Sequence, residues 1–228
     1  YMARLNYSFK NRYLLTATVR RDGFSGFGAN KKTATFPSVS LGWVLSEEPF
    51  LKNVKAINFL KLRTSVGKNG NQGIGRYSSF SKMSTTQYGT SAIYNVSYVF
   101  GSSTAVGIVP SSLGNADLGW ESTLSYNVGI DFGVLQNRIS GGLDLYKAQT
   151  SDVLVSRALP TATGYTSVWT NIGGISNKGI ELTLNSVNID KAFRWETKLV
   201  FSLNRDKITK LYGGAEDRDV GNSWFVGE

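Results

Sequence analysis

Apolar and polar residues alternate with a period of two in eight separate stretches of this chain, and this pattern constrains the fold more than any other feature. In the first stretch, Leu5, Tyr7 and Phe9 alternate with Asn6 and Ser8. Because successive side chains of a β-strand point to opposite faces, each stretch predicts a strand with one apolar and one polar face. The predicted strands lie within residues 3–9, 13–20, 36–43, 60–66, 123–132, 138–145, 180–185 and 193–204.

The connections between these strands fall into two length classes that alternate along the chain. The short or moderate ones are 10–12, 46–56, 135–137 and 188–192. The long ones, which are rich in Gly, Ser, Thr, Asn and Tyr, are 23–33, 67–119, 150–174 and the residues after 206. Short turns at one end and long loops at the other are typical of an outer-membrane β-barrel, whose short turns are periplasmic and whose long loops are extracellular.

A soluble antiparallel sandwich is the alternative fold, because its strands also alternate. It gives no reason for short turns and long loops to separate to opposite ends. Its dry core would also not accept the Arg, Lys, Asp and Glu residues that lie in mid-strand on the polar face, whereas a water-filled lumen would. We therefore expect an all-β fold, an antiparallel up-and-down transmembrane β-barrel segment of about eight strands.

Aromatic residues on the apolar face collect beside the short turns. Aromatic rings are favoured where hydrocarbon meets lipid headgroups, so a row of rings at one height predicts a membrane girdle. The predicted girdle residues are Phe9, Tyr13, Trp43, Phe132, Phe193 and Trp195. The core of a sandwich is the alternative position for these rings.

The composition excludes several kinds of chemistry. The chain has 228 residues with no His and no Cys, so a Ser-His-Asp triad, a cysteine nucleophile, a Cys/His zinc site and a disulfide scaffold are absent. The net charge of +9 comes from cations spread along the chain and does not by itself indicate a partner. We expect no metal, since the carboxylates near Glu216 lack the spacing of a calcium loop. We expect no enzyme activity, since nothing marks any two of the 16 Asp and Glu residues as a catalytic pair. No cofactor is expected either.

Several strings of residues resemble the SusC/RagA type of TonB-dependent outer-membrane transporter, and they run nearly end to end in a consistent order. The most specific are Phe-Pro-Ser-Val-Ser-Leu-Gly-Trp at 36–43 and Asn-Lys-Gly-Ile-Glu at 177–181. Further strings lie at 4–22, 60–63, 70–72, 118–121, 127–133 and 224–228. The resemblance implies a barrel of roughly twenty-two strands around a plugged lumen. Because each strand needs ~10 residues, we expect residues 1–228 to be part of the C-terminal half of the wall, with the plug domain and the last strands outside them.

The resemblance also implies a function, the import of oligomeric nutrients (glycans or peptides) through the outer membrane of a Gram-negative bacterium. TonB acting on the plug would supply the energy, and a SusD-like lipoprotein would cap the extracellular mouth. The wall would contact the lipid bilayer and lipopolysaccharide, and no nucleic acid is expected as a partner. The alternatives are a passive porin or surface-adhesion barrel, and a soluble basic β protein that binds polyanions.

Aromatic residues in the long loops are the candidates for substrate contact, because an apolar ring can stack on a sugar face or pack on a peptide. They are Tyr77, Tyr94, Tyr98, Tyr165, Trp169 and Trp224. The alternative is that these rings fold the long loops onto one another or against a partner.

Overall fold

The computed structural model describes residues 1–88, 93–95, 97–211, 218–219 and 224–227. Strands dominate this part of the chain, together with two single-turn 3₁₀ helices at Leu45–Glu47 and Thr161–Thr163. The strands are β1 (Met2–Phe9), β2 (Tyr13–Gly23), β3 (Thr33–Val44), β4 (Ile57–Asn71), β5 (Lys82–Ser84), β6 (Thr86–Tyr88), β7 (Ile93–Asn95), β8 (Ser97–Phe100), β9 (Ser103–Val106), β10 (Val109–Leu113), β11 (Glu121–Val134), β12 (Ile139–Ser151), β13 (Leu154–Ala158), β14 (Ser167–Asn171), β15 (Gly174–Asp190), β16 (Arg194–Lys210), β17 (Arg218–Asp219) and β18 (Trp224–Phe225).

The eight long strands form one antiparallel sheet in the order β1-β2-β3-β4-β11-β12-β15-β16. Each long strand pairs with the next long strand along the chain, which is the up-and-down order that the alternation predicts. Strands β1 and β16 are the two edges, so the sheet is open. The predicted fold class, an open segment of a larger antiparallel barrel, is confirmed.

The strands are longer than the alternating stretches, and most of the extra residues lie at the long-loop end. Strand β4 continues to Asn71, β12 continues to Ser151, and β15 and β16 have 17 residues each. The backbone ladder persists beyond the last alternating residue because pairing needs only N–H and C=O groups, whereas alternation needs a lipid face. The wall therefore extends past the ~9–11 residues that a tilted strand needs to cross a bilayer.

Two of the short connections, at 10–12 and 135–137, are tight turns with left-handed backbone. Lys10 and Asn11 have φ of 52° and 54°, and residues 135–137 have φ between 54° and 61°. The twist of such a turn matches the right-handed twist of the flanking strands, so hairpins favour this conformation.

No helix among the described residues is long and apolar enough to cross a membrane.

The buried core lies in the long loops and not under the sheet. The buried hydrophobic residues of the described chain are Phe27, Phe36, Ile74, Leu118, Val168 and Leu211, all toward the long-loop end. On the wall, in contrast, Leu5 and Phe201 are 60% and 52% exposed. A sandwich would bury such residues beneath a second sheet, whereas a barrel presents them to lipid.

Candidate functional site

Strand register gives the sheet one apolar and one polar face. Trp43, Leu62 and Ile130 are consecutive cross-strand partners on the apolar face. The adjacent residues on these three strands lie on the polar face, where Arg63 is the cross-strand partner of Gly42 and of Gly129. A one-residue shift of register would send the charged side chains to the lipid side, so the alternation specifies which face lines the lumen.

Three of the six predicted girdle residues form a continuous row at the short-turn end. Phe9 is paired with Tyr13, and Tyr13 with Trp43. Their ring centroids are 6.4 Å and 6.3 Å apart and the rings stack. This arrangement fits rings at one membrane depth.

The other three predicted girdle residues lie farther along the sheet. Phe132 is half-buried on β11, where Gly141 leaves room for its ring. Phe193 and Trp195 lie at the start of β16 and are 66% and 53% exposed. All six rings are therefore near the short turns, and their contact with headgroups stays a prediction.

A buried carboxylate, that of Glu48, links two residues of this aromatic row, Tyr13 and Trp43. The alternation pattern does not indicate it. Glu48 follows the 3₁₀ turn after β3 and is only 6% exposed. It accepts hydrogen bonds from the Tyr13 hydroxyl at 2.6 Å, the Trp43 indole N–H at 3.0 Å and Arg12 at 3.2 Å. The bonds from Tyr13 and Trp43 hold the pKa of Glu48 below its ordinary value, and the positive charge of Arg12 acts in the same direction.

The polar face carries an ion-pair cluster around Arg63. Its Nε lies 3.1 Å from Asp131, and its Nη2 lies 2.6 Å from Asp144 on the next strand but one. Arg63 reaches Asp144 across Gly129, where a Cβ atom would lie 2.7 Å from the guanidinium carbon and 2.6 Å from a carboxylate oxygen of Asp144. The three charged side chains are partly exposed, as expected for groups that line a wet lumen.

The long loops are joined by a small hydrophobic core, which we call the loop core. It consists of Phe27, Ile74 and Leu118, and the half-buried side chains packed against it include those of Trp120 and Trp169. The Gly28 N–H donates to the Leu118 carbonyl at 2.8 Å. A Cβ at Gly28 would lie 1.7 Å from the Ala116 carbonyl oxygen, so this close approach requires glycine.

Two polar side chains connect the loop core to the strand ends. Asn171 accepts from the Gly119 N–H at 2.6 Å and donates to the Gly119 carbonyl at 2.9 Å. Glu121 accepts from the Asn71 amide at 3.1 Å and from the Leu154 N–H at 3.0 Å. The string Leu-Gly-Trp-Glu at 118–121 is therefore a structural clamp between loops.

The predicted substrate-contact residues whose side chains the structure describes are spread over the loops and are not brought to one point. Trp169 packs against the loop core, which agrees with the alternative of loop folding. Tyr77 is 68% exposed beside Phe80, and Tyr98 is 52% exposed in the hairpin of β8 and β9. Tyr165 is half-buried.

The remaining two candidates are Tyr94 and Trp224. The side chain of Tyr94 lies outside the described part of the chain. Trp224 lines an apolar pocket of about 250 Å³ at the loop end of β15 and β16. Substrate contact by any of the six stays a prediction. Among the described residues, no group of three or more acidic side chains could hold a metal ion; Glu216 lies outside them.

Comparison with known proteins identifies the family. Residues 1–226 match the family model described as TonB dependent receptor-like, beta-barrel. The chain belongs to this family. It is 40% identical over 221 residues to the TonB-dependent receptor SusC of Bacteroides thetaiotaomicron, which covers 96% of this chain and 21% of that protein. It is 38% identical over 210 residues to the TonB-dependent receptor P39 of Formosa agariphila, covering 92% of this chain and 19% of that receptor.

Solved structures agree with this membership. The RagAB peptide transporter matches over 99% of this chain and 24% of its own, with a TM-score of 0.84 and 29% identity. The siderophore receptor PirA of Pseudomonas aeruginosa, at 15% identity and a TM-score of 0.55, shares the fold alone. The resemblance to the SusC/RagA type and the outer-membrane location are thus confirmed. The chain spans about a fifth of the length of the two relatives named above.

Sequence reasoning missed three residues that organise this part of the barrel. Glu48 follows Glu47 in a turn and shows no periodic signal. Asn171 is one of many loop amides. Gly129 reads as an ordinary strand glycine, although its position opposite Arg63 could have been found by aligning the predicted strands in register.

Proposed function

We propose that this chain supplies eight strands of the wall of a TonB-dependent outer-membrane transporter that imports oligomeric nutrients, either glycans or peptides. A plug domain and the remaining strands, encoded in the same gene, complete the barrel. A SusD-like lipoprotein covers the extracellular mouth, and TonB supplies energy through the plug. The protein moves its cargo without making or breaking a covalent bond in it.

The observation that carries this proposal is the end-to-end match of the sheet to the RagAB peptide transporter, together with 40% identity to SusC. The two faces support the same assignment. The apolar face offers contiguous exposed side chains to lipid, which argues against a soluble protein that binds polyanions. The polar face, with Arg63, Asp131 and Asp144, suits a hydrated lumen.

Within this transporter, the parts of the chain have separate tasks. The wall strands seal the barrel against lipid. The loop core fixes the extracellular loops relative to one another, and the exposed rings of Tyr77 and Tyr98 are available to cargo or to the lid protein. Edges β1 and β16 pair with neighbouring strands of the complete barrel, because an unpaired edge would leave backbone groups unsatisfied in lipid.

Uptake by intact cells tests the proposal. Cells with the complete gene, and cells with it deleted, are given mixtures of labelled peptides and labelled oligosaccharides. We expect at least one labelled class to enter only when the gene is present, and its uptake to stop when TonB is also deleted. Uptake that survives loss of TonB would identify a passive porin, and uptake undiminished by deletion of the gene would contradict transport.

A further inference from the structure

An apolar pocket lies beside Trp224 at the loop end of the wall. We call it the Trp224 pocket. Its side-chain lining includes Val153, Val155, Ile172, Ile175, Ile208 and Trp224. Ile175 and Ile208 are cross-strand partners. Ile175 lies on the same face of β15 as Glu181, the partner of Asp144, so the pocket opens on the polar, lumen side of the wall.

Backbone hydrogen bonds connect the four segments that line the pocket, which are 153–155, 172–175, 208–211 and the segment of Trp224. The Gly227 N–H donates to the Ile208 carbonyl at 2.8 Å, which fixes the segment that contains Trp224. The Ile172 N–H donates to the Val153 carbonyl at 2.9 Å. Gly173 lies between Ile172 and the start of β15 and turns the chain with a φ of 84°. A Cβ there would lie 2.9 Å from the Lys210 carbonyl oxygen. The walls are therefore pre-organised, which reduces the conformational entropy that the loops lose when a ligand binds.

The chemistry of the walls selects one kind of guest. Among the lining residues, the polar side-chain groups are the Lys210 ammonium and the Trp224 indole N–H. A sugar ring placed here would bury several hydroxyls without partners, and each unpaired hydroxyl is costly. An aliphatic side chain or a phenyl ring carries no polar group that would be buried without a partner. The volume, about 250 Å³, is below the ~300–1,000 Å³ of a pocket for a whole drug-sized molecule.

We propose that the Trp224 pocket binds a large apolar side chain of a peptide cargo, and that Lys210 at its rim attracts a carboxylate of the same peptide. This inference rests on the proposed transport function and narrows it from oligomeric nutrients to peptides. Lys210 is exposed and forms no ion pair with another described residue. It is also the one charged residue among those that line the pocket.

Binding to the purified complete transporter tests the inference without requiring transport. The probes are pentapeptides of Ser and Ala that carry one Leu, or one Asn, at each position in turn. Leu and Asn have similar shapes, so their comparison isolates apolar character. We expect at least one Leu peptide to bind about ten-fold more tightly than its Asn counterpart, because burying the extra apolar carbons accounts for a difference of this order.

Two pocket variants and one control variant test whether the preference for Leu over Asn comes from the pocket. Val155→Trp fills it and is expected to abolish the Leu preference, whereas Val99→Trp, at a position that is 71% exposed in the β8–β9 hairpin, is expected to leave it unchanged. Should Val155→Trp fail to fold, Ile175→Ala enlarges the same pocket and is expected to shift the preference from Leu toward Phe.

The outcomes separate this inference from the transport proposal. Equal binding of Leu and Asn peptides, or a Leu preference that both pocket variants leave unchanged, would overturn the pocket assignment. Binding of oligosaccharides alone would also overturn it, while transport would stand. Loss of lid-protein affinity in Val155→Trp with unchanged peptide binding would assign the pocket to the lid and not to cargo.

Discussion

Replacement of Leu118 by Ala is expected to loosen the extracellular loops while leaving the wall intact. Leu118 is fully buried in the loop core, and its carbonyl accepts the Gly28 N–H. Truncating a buried Leu to Ala costs about 2–5 kcal/mol. The side chains packed around the loop core are only partly buried and can move into the space, so we expect the lower part of this range, about 2–3 kcal/mol.

Hydrogen exchange measures this loss directly. Every 1.4 kcal/mol is a factor of ten, so exchange protection of the Gly28 and Gly119 amides should fall about 30- to 150-fold. The matched control is Leu135→Ala in a short turn at the opposite end, where the side chain is 53% exposed. The measurement uses the complete protein in detergent or lipid.

Two results would contradict the expected role of Leu118. Unchanged protection of both glycine amides would mean that Leu118 does not hold the loops together. An equal loss of protection at Val128, in the middle of β11, would mean that the loops and the wall unfold as one unit.

Two further predictions concern the wall. Gly129→Ala should lower the thermal unfolding temperature of the barrel more than Gly42→Ala, because a Cβ at Gly129 lies within 2.6–2.9 Å of the Arg63–Asp144 ion pair, whereas one at Gly42 lies 3.3–3.4 Å from side-chain carbons of Lys61 and Leu14. Equal shifts, read from heat-dependent mobility on gels, would contradict this explanation. Because the pKa of Glu48 is lowered by folding, its ionised form stabilises the native turn at neutral pH, and this contribution is lost as the pH falls from about 4.5 through the lower native pKa. Glu48→Gln should therefore flatten the acid side of the stability–pH curve, whereas Glu47→Gln should not.

The wall could be predicted from sequence because lipid and water impose a period of two on every strand. Each of the eight alternating stretches lies within or next to a strand of the sheet, and the two turn classes separate to opposite ends. The strand ends were underestimated, since β15 begins at Gly174 and not near Ile180. Above the membrane the lipid no longer selects apolar residues, so alternation stops while pairing continues.

The loops could not be predicted in the same way. Their short strands include a parallel pair, β10 with β14, formed by segments more than fifty residues apart. Such contacts depend on individual side chains, as when Asn171 bonds to both backbone groups of Gly119. Trp169 is an example: it is a candidate for substrate contact by sequence, and its ring packs against the loop core in the structure. Its contact with substrate stays a prediction.

This sheet is barrel wall with lipid on one face and a wet lumen on the other, and spin labels along β4 test that arrangement directly. Because residues 1–228 contain no cysteine, single cysteines can be introduced along β4 at positions 60–66, omitting Arg63, in the complete protein with any other cysteines replaced. Spin labels at the even positions should collide mainly with oxygen dissolved in lipid, and labels at the odd positions mainly with a water-soluble nickel complex. Accessibility without this period of two, or with the reverse parity, would contradict the assignment of one face to lipid and the other to the lumen.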